Sequence, residues 1–214
     1  MAVLNLHFEI LDKPRQSILL LLDKFKDRFY LAGGTALALQ LGHRDSIDFD
    51  FFTKLEFDPT ALLREIKDVF AGHQIEVVQA GNMTLNLIVD QDIKFSFFYI
   101  KDQLLTPLIE TPNFNLASLT DIACMKMAAL LRGELKDYVD LYYLFKEMPL
   151  SQVIDNCQKK YEGFNVMVYL KALASFDDIK ETEILFIKGK NIALPIIKKD
   201  FNQRIKEYLK QQKK

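Results

Sequence analysis

Cysteine and histidine are scarce in this 214-residue chain, and their scarcity removes several classes of site. The two cysteines, Cys124 and Cys157, fall in segments of helical composition without metal-ligand spacing, so they read as buried reduced thiols. The three histidines, His7, His43 and His73, are scattered and make no zinc pattern, and His43 reads as a polar group at a helix end. Long apolar runs are missing too: none approaches the ~18–20 residues that a membrane span needs. Met1 to Asp12 lacks the basic and apolar regions of a secretory signal, so a cytoplasmic protein is expected. Net charge is −1, and the chain as a whole does not advertise nucleic-acid binding. There are no repeats and no low-complexity linker.

Half of the residues are hydrophobic and 17 are phenylalanine, enough to pack two layers. The pattern predicts a first helix over 14–27, a strand over 28–32, a helix over 34–42 and a strand over 47–53. A helix over 59–71 is opened by Asp58 and Pro59 and closed by Gly72. Strands follow over 75–80, 83–89 and 93–100, with turns at Gly81-Asn82 and Asp90-Gln91-Asp92. Beyond Pro112 the pattern is nearly all helical, over 118–132, 135–147, 150–161, 164–174 and 195–212. The expected fold class is α+β: a small mixed-sheet domain over 1–112, then a helical bundle domain over 113–214.

The stretch Leu31 to Phe52 (LAGGTALALQLGHRDSIDFDFF) concentrates the chemistry. Asp48 and Asp50 alternate with Phe49 and Phe51, as in a strand whose i and i+2 side chains share a face. Two carboxylates on one edge repel unless a cation sits between them, and Mg²⁺ (or Mn²⁺) favours such oxygens together with substrate phosphates. Upstream, a short apolar run ends in Gly33-Gly34, and Thr35 to Leu41 has helical composition. Strand, Gly-Gly and helix together bring backbone N–H groups and a helix N-terminus against an anion. Arg44 and Ser46 lie between this turn and the acids. If the strand is already extended at Ser46, then Ser46, Asp48 and Asp50 share a face. The competing reading is a glycine turn beside a solvated acid pair.

These residues resemble the first motif of the polymerase-beta-like nucleotidyltransferase superfamily, where a Gly-Gly or Gly-Ser turn precedes D-x-D. The longer form G-G-T-A-L-A-L…R-x-S-x-D-x-D-x-F resembles the AbiEii/AbiGii toxin family. A second stretch, Leu119 to Ala129 followed by Arg132, Lys136, Asp137 and Asp140, is similar to that family's D-x-x-A-x-K…R-x-x-x-K-D-x-x-D-L element. The resemblance covers roughly residues 29 to 146. It implies a nucleotidyltransferase acting on a nucleoside triphosphate (NTP), with Asp48 and Asp50 as metal ligands. Gly33, Gly34, Thr35, Arg44, Ser46 and Lys126 would bind the nucleotide, and Lys126 and Asp137, with Asp140 as a further candidate, would serve in catalysis. The helical domain would then contribute to the active-site cleft. Without the resemblance, Arg132, Lys136, Asp137 and Asp140 read as an inter-helix salt-bridge cluster.

One position departs from the superfamily pattern. Relatives carry a third carboxylate on a later strand, whereas the strand over 93–100 offers Lys94 and Ser96, and Asp92 reads as a turn former. A nucleotide-binding pseudoenzyme therefore stands beside the enzyme reading, as does a transferase that nucleotidylates a partner protein. The resemblance further implies a toxin of a bacterial toxin–antitoxin or phage-defence pair, with a DNA-binding antitoxin as partner and RNA such as the tRNA 3′ end as acceptor. Lys198 to Lys214 holds seven basic residues against Asp200 and Glu207, with Phe201 and Tyr208 among them. With Lys188 and Lys190 this is a candidate RNA track, the alternative being a solvated terminal helix.

Overall fold

The computed structural model describes residues 5–177, 179–180 and 182–212. The chain divides into two compact units, Met1–Gln103 with Pro107–Ser118, and Leu104–Thr106 with Leu119–Lys214. Mixed sheet followed by helices is the fold class expected from the sequence. Among the described residues no helix is long and apolar enough to cross a membrane.

The first unit is built on one sheet of seven strands: β1 (Tyr30–Ala32), β2 (Phe49–Thr53), β3 (Ile75–Gly81), β4 (Thr84–Val89), β5 (Ile93–Tyr99), β6 (Ile109–Glu110) and β7 (Asn115–Leu116). Their order is β3-β4-β5-β2-β1-β7-β6; β2 runs parallel to β5 and β1 to β7, and the other pairs are antiparallel. Alternation along β2 and β5 decides which face is dry. Phe49, Phe51, Phe95 and Phe97 are fully buried, with Phe51 and Phe97 stacked at 5.3 Å between ring centroids. Each buried ring contributes roughly 1.5–3 kcal/mol. Helix α3 (Pro59–Val69) brings Leu62 and Ile66 into the core, and Asp58 caps it by accepting the Thr60 N–H. The residues between the core phenylalanines, Asp50 and Ser96, are half-buried on the opposite face.

Three features differ from the sequence expectation. The first helix is broken into α1 (Lys13–Leu19) and a 3-10 turn over Leu22–Phe25. Leu19, Leu22 and Phe25 are all buried at a spacing of three, which suits the 3-10 repeat and leaves Leu20 exposed. The tight turn before β4 is centred on Asn82 and Met83, both at positive φ, one residue later than expected. Strands β6 and β7 were not expected, because two-residue strands carry no periodicity.

The second unit contains α4 (Leu119–Ala129), a 3-10 turn (Leu130–Arg132), α5 (Leu135–Glu147), α6 (Leu150–Lys160), α7 (Val166–Ala174) and α8 (Leu194–Gln211). Phe201 of α8 packs against Tyr138 and Phe145 of α5 and against Phe176. Tyr208 is buried as well, so neither aromatic adds to the exposed basic face of α8 as the sequence suggested. Lys198, Lys199, Lys206 and Lys210 are exposed, Arg204 is tied to Asp200 at 2.6 Å, and Lys213 and Lys214 lie outside the described residues.

Candidate active site

In the first unit the sequence candidates converge around the β1–α2 turn, with α2 spanning Gly33–Leu41. Gly33 sits at φ +69°, and a Cβ there would lie 3.0 Å from Asp50 Oδ2. At Gly34 a Cβ would lie 2.7 Å from Arg44 Nη2 and 3.1 Å from Ser46 Oγ. Gly33 is needed for its backbone conformation, and a side chain at Gly34 would have to displace the Arg44 guanidinium. Residue 32, the N-cap of α2, is an alanine and supplies no side-chain cap, which leaves the first N–H groups of the helix for another acceptor. Thr35 Oγ1 donates to the Asp48 carbonyl and hydrogen-bonds Ser46 Oγ at 2.9 Å. Arg44 is buried, and its Nη1 donates to the Asp45 carbonyl at 2.8 Å. Burial raises the pKa of Asp45, an effect that the nearby Arg44 charge opposes.

Asp48 lies one residue before β2, which corrects the expectation of a strand from residue 47 and of a face shared by Ser46, Asp48 and Asp50 through strand alternation. The reason is local. The Ile47 carbonyl accepts from Arg15 Nε at 3.2 Å and the Asp48 carbonyl accepts from Thr35, so neither enters the ladder. Asp48 Oδ1 is shielded from solvent and has no hydrogen-bond partner. A desolvated carboxylate oxygen without a partner costs stability, and a divalent cation removes that cost. The donor set fits such an ion: hard oxygens from Asp48 and Asp50, with the other ligands left to phosphate and water. Among the described residues no group of three or more His, Cys, Asp or Glu is placed to hold a metal. Ser96 pairs directly with Asp50 across the parallel β2–β5 ladder, so a hydroxyl stands where a third carboxylate was sought. Asp92 does more than form a turn, since its Oδ2 accepts from Arg15 Nη2 at 2.9 Å.

In the second unit, Lys126 of α4 is buried and its ammonium is clasped by two acids of α5, Asp137 Oδ1 at 2.7 Å and Asp140 Oδ2 at 2.6 Å. Arg132 Nη2 adds a bond to Asp137 Oδ2 at 3.0 Å from a largely exposed side chain. Lys136 stands apart and pairs with Glu134. The four charges cancel, as buried ions require. Helix α4 is buried on more than one side: Ile122, Ala123, Cys124 and Met127 are all inaccessible. Two side chains with structural weight went unread in the sequence. Arg15 tethers the lead-in to Asp48, and Lys160 pairs with Asp121 at 2.8 Å. No local signal marks either, because each bond joins residues far apart in the chain.

A family model described as nucleotidyl transferase AbiEii toxin, type IV toxin–antitoxin system, matches residues 18–214. An uncharacterized protein of Aquifex aeolicus (strain VF5) is 35% identical over 192 residues, covering 85% of this chain and 88% of its own. Among solved structures, JHP933 from Helicobacter pylori superposes with a TM-score of 0.57 at 16% identity, over 97% of this chain and 96% of that one. That likeness is one of fold. The glycine turn and acid pair lie within the span of the family model, and the chain belongs to the AbiEii family of nucleotidyltransferase toxins.

Proposed function

We propose that the protein moves a nucleoside monophosphate from an NTP to an acceptor hydroxyl, that of an RNA such as the tRNA 3′ end, with Mg²⁺ or Mn²⁺ bound by Asp48 and Asp50. The observation that carries this reading is the shielded, unpartnered Asp48 Oδ1 beside a turn whose two glycines lie close against Asp50 and Arg44. A divalent ion there would supply charge neutralisation for the phosphates and for the attacking and leaving oxygens. The chain's own share is placement. Gly33, Gly34 and the uncapped start of α2 offer N–H groups to the triphosphate. Arg44, packed beneath Gly34, adds positive charge to that turn, and Thr35 and Ser46 hold its far side. From the helical unit we assign Lys126 to phosphate neutralisation and Asp137 to orienting or deprotonating the acceptor. Asp140 holds Lys126 Nζ in place. Support for this assignment comes from the motif that carries these residues, which lies within the family match. The catalytic domain is taken as 1–112 and the helical one as 113–214.

The proposed biological setting is a cytoplasmic toxin–antitoxin or phage-defence pair with a DNA-binding antitoxin, in keeping with the family's description. The exposed lysines of α8, with Lys188 and Lys190, are the proposed contacts to RNA phosphates. A second reading, a nucleotide-binding regulator without turnover, is favoured by Ser96 standing beside Asp50. The test is incubation with each α-labelled NTP, Mg²⁺ and total RNA, in parallel with Asp48→Ala. Label on RNA that the variant loses is the expected result. Label on protein alone would reassign the acceptor. Nucleotide binding without pyrophosphate release would favour the regulator, and equal labelling by both proteins would remove Asp48 from the site.

A further inference from the structure

Strand pairing does not hold Asp48, so something else must. The carbonyls of residues 47 and 48 are both taken by side chains: Arg15 Nε holds the first and Thr35 the second. The peptide units on either side of the Asp48 Cα are thereby fixed, and with them the direction of the Cα–Cβ bond that carries its carboxylate. Hydrophobic burial anchors the chain only after Asp48, at Phe49, since Ile47 before it is 50% exposed.

We propose that Arg15 is a positioning residue for the metal-binding carboxylate of Asp48, acting through the peptide that joins residues 47 and 48. The guanidinium is well made for this. Arg15 is only 4% exposed, and its planar fork reaches separate acceptors at once. Besides the Ile47 carbonyl at 3.2 Å, Nη2 donates to the Asp92 carbonyl at 3.1 Å and to Asp92 Oδ2 at 2.9 Å, while Nη1 pairs with Asp12. Asp12 also caps α1 by accepting the Arg15 N–H at 2.9 Å. The same side chain therefore fastens helix α1, the turn that begins β5 and the approach to Asp48. Strand β5 carries Ser96 beside Asp50, so the clamp sets both sides of the acid pair. Outer partners of this kind commonly govern how well an ion binds without touching it.

The inference rests on the cation site proposed above, and the test separates the two. Mn²⁺ binding to the intact protein is followed by the electron paramagnetic resonance of the free ion, without nucleotide, and thermal unfolding is recorded alongside. Arg15→Gln removes the bond to Ile47, and Asp92→Asn removes the ion pair while keeping that bond. Arg15→Lys keeps the charge and loses the fork. The expected result is a Mn²⁺ affinity about tenfold weaker in Arg15→Gln, the low end for loss of an outer partner. Arg15→Lys should be weakened too, and Asp92→Asn should stay within about twofold of wild type at a comparable loss of stability. Wild-type affinity in Arg15→Gln, or a loss in Asp92→Asn as large as in Arg15→Gln, would overturn the role of Arg15 alone. Wild-type protein that binds no Mn²⁺ would overturn both the cation site and this role.

Discussion

At the scale of single residues, Asp50 and Ser96 are the most instructive pair. They face each other across β2 and β5, with a carboxylate on one strand and a hydroxyl on the other. Replacing Ser96 with Asp would set a like charge directly across from Asp50. Without metal, Ser96→Asp should therefore melt below wild type. Adding Mg²⁺ should raise its melting temperature by more than it raises that of wild type, as measured by calorimetry with EDTA and then with the ion. An equal response in both proteins would mean that position 96 does not face the ion. The sequence named this pair, and it named Gly33, Gly34, Thr35, Arg44 and Ser46 as neighbours of the acids, because all of them fall within one short stretch. It misplaced only the means by which Asp48 is held. Arg15 lies 32 residues from Ile47 and 77 from Asp92, and no local pattern reports a bond of that span.

At the scale of elements, helix and strand positions followed from periodicity and capping, as Asp58 and Pro59 show at the start of α3. What escaped was the anchoring of α4. Asp121, an acid in the first turn of α4, is a buried hub. Its oxygens accept from the Leu105 N–H at 3.0 Å, from the Thr106 N–H at 3.3 Å and hydroxyl at 3.1 Å, and from Lys160 at 2.8 Å. Burial, the largest single influence, raises its pKa, but Lys160 and the N–H donors together outweigh it and the net shift is downward from 3.8. A carboxyl with a lowered native pKa adds stability above its unfolded pKa and loses it as pH falls through the native value. Asp121→Asn should thus cost about 3–5 kcal/mol at pH 7, where it strands the Lys160 charge. That gap should narrow below a pH of about 4, where the unfolded chain's carboxyl begins to take up its proton, and go on narrowing until the pH passes the lowered native value. Urea unfolding at pH 7 and pH 3 checks this, and a gap that widens in acid would contradict it.

For the molecule as a whole, two motifs by sequence reading reached roughly residues 29 to 146, whereas the family model runs from 18 to 214 and takes in both compact units. The later helices were legible as helices but silent on function, because their work is packing of the kind Phe201 performs among Tyr138, Phe145 and Phe176. Nothing in a net charge of −1 announces a nucleic-acid partner, and the RNA contacts proposed for the exposed lysines of α8 rest on the proposed function. The account as a whole stands on that site. Its most direct test is a crystal of the intact protein grown with Mn²⁺ and a non-hydrolysable NTP analogue, with anomalous scattering used to locate the ion. The expected map shows a peak at ~2.0–2.2 Å from a carboxylate oxygen of each of Asp48 and Asp50, with triphosphate against the Gly33–Gly34 turn. A peak elsewhere, or nucleotide bound with those two acids empty, would contradict it.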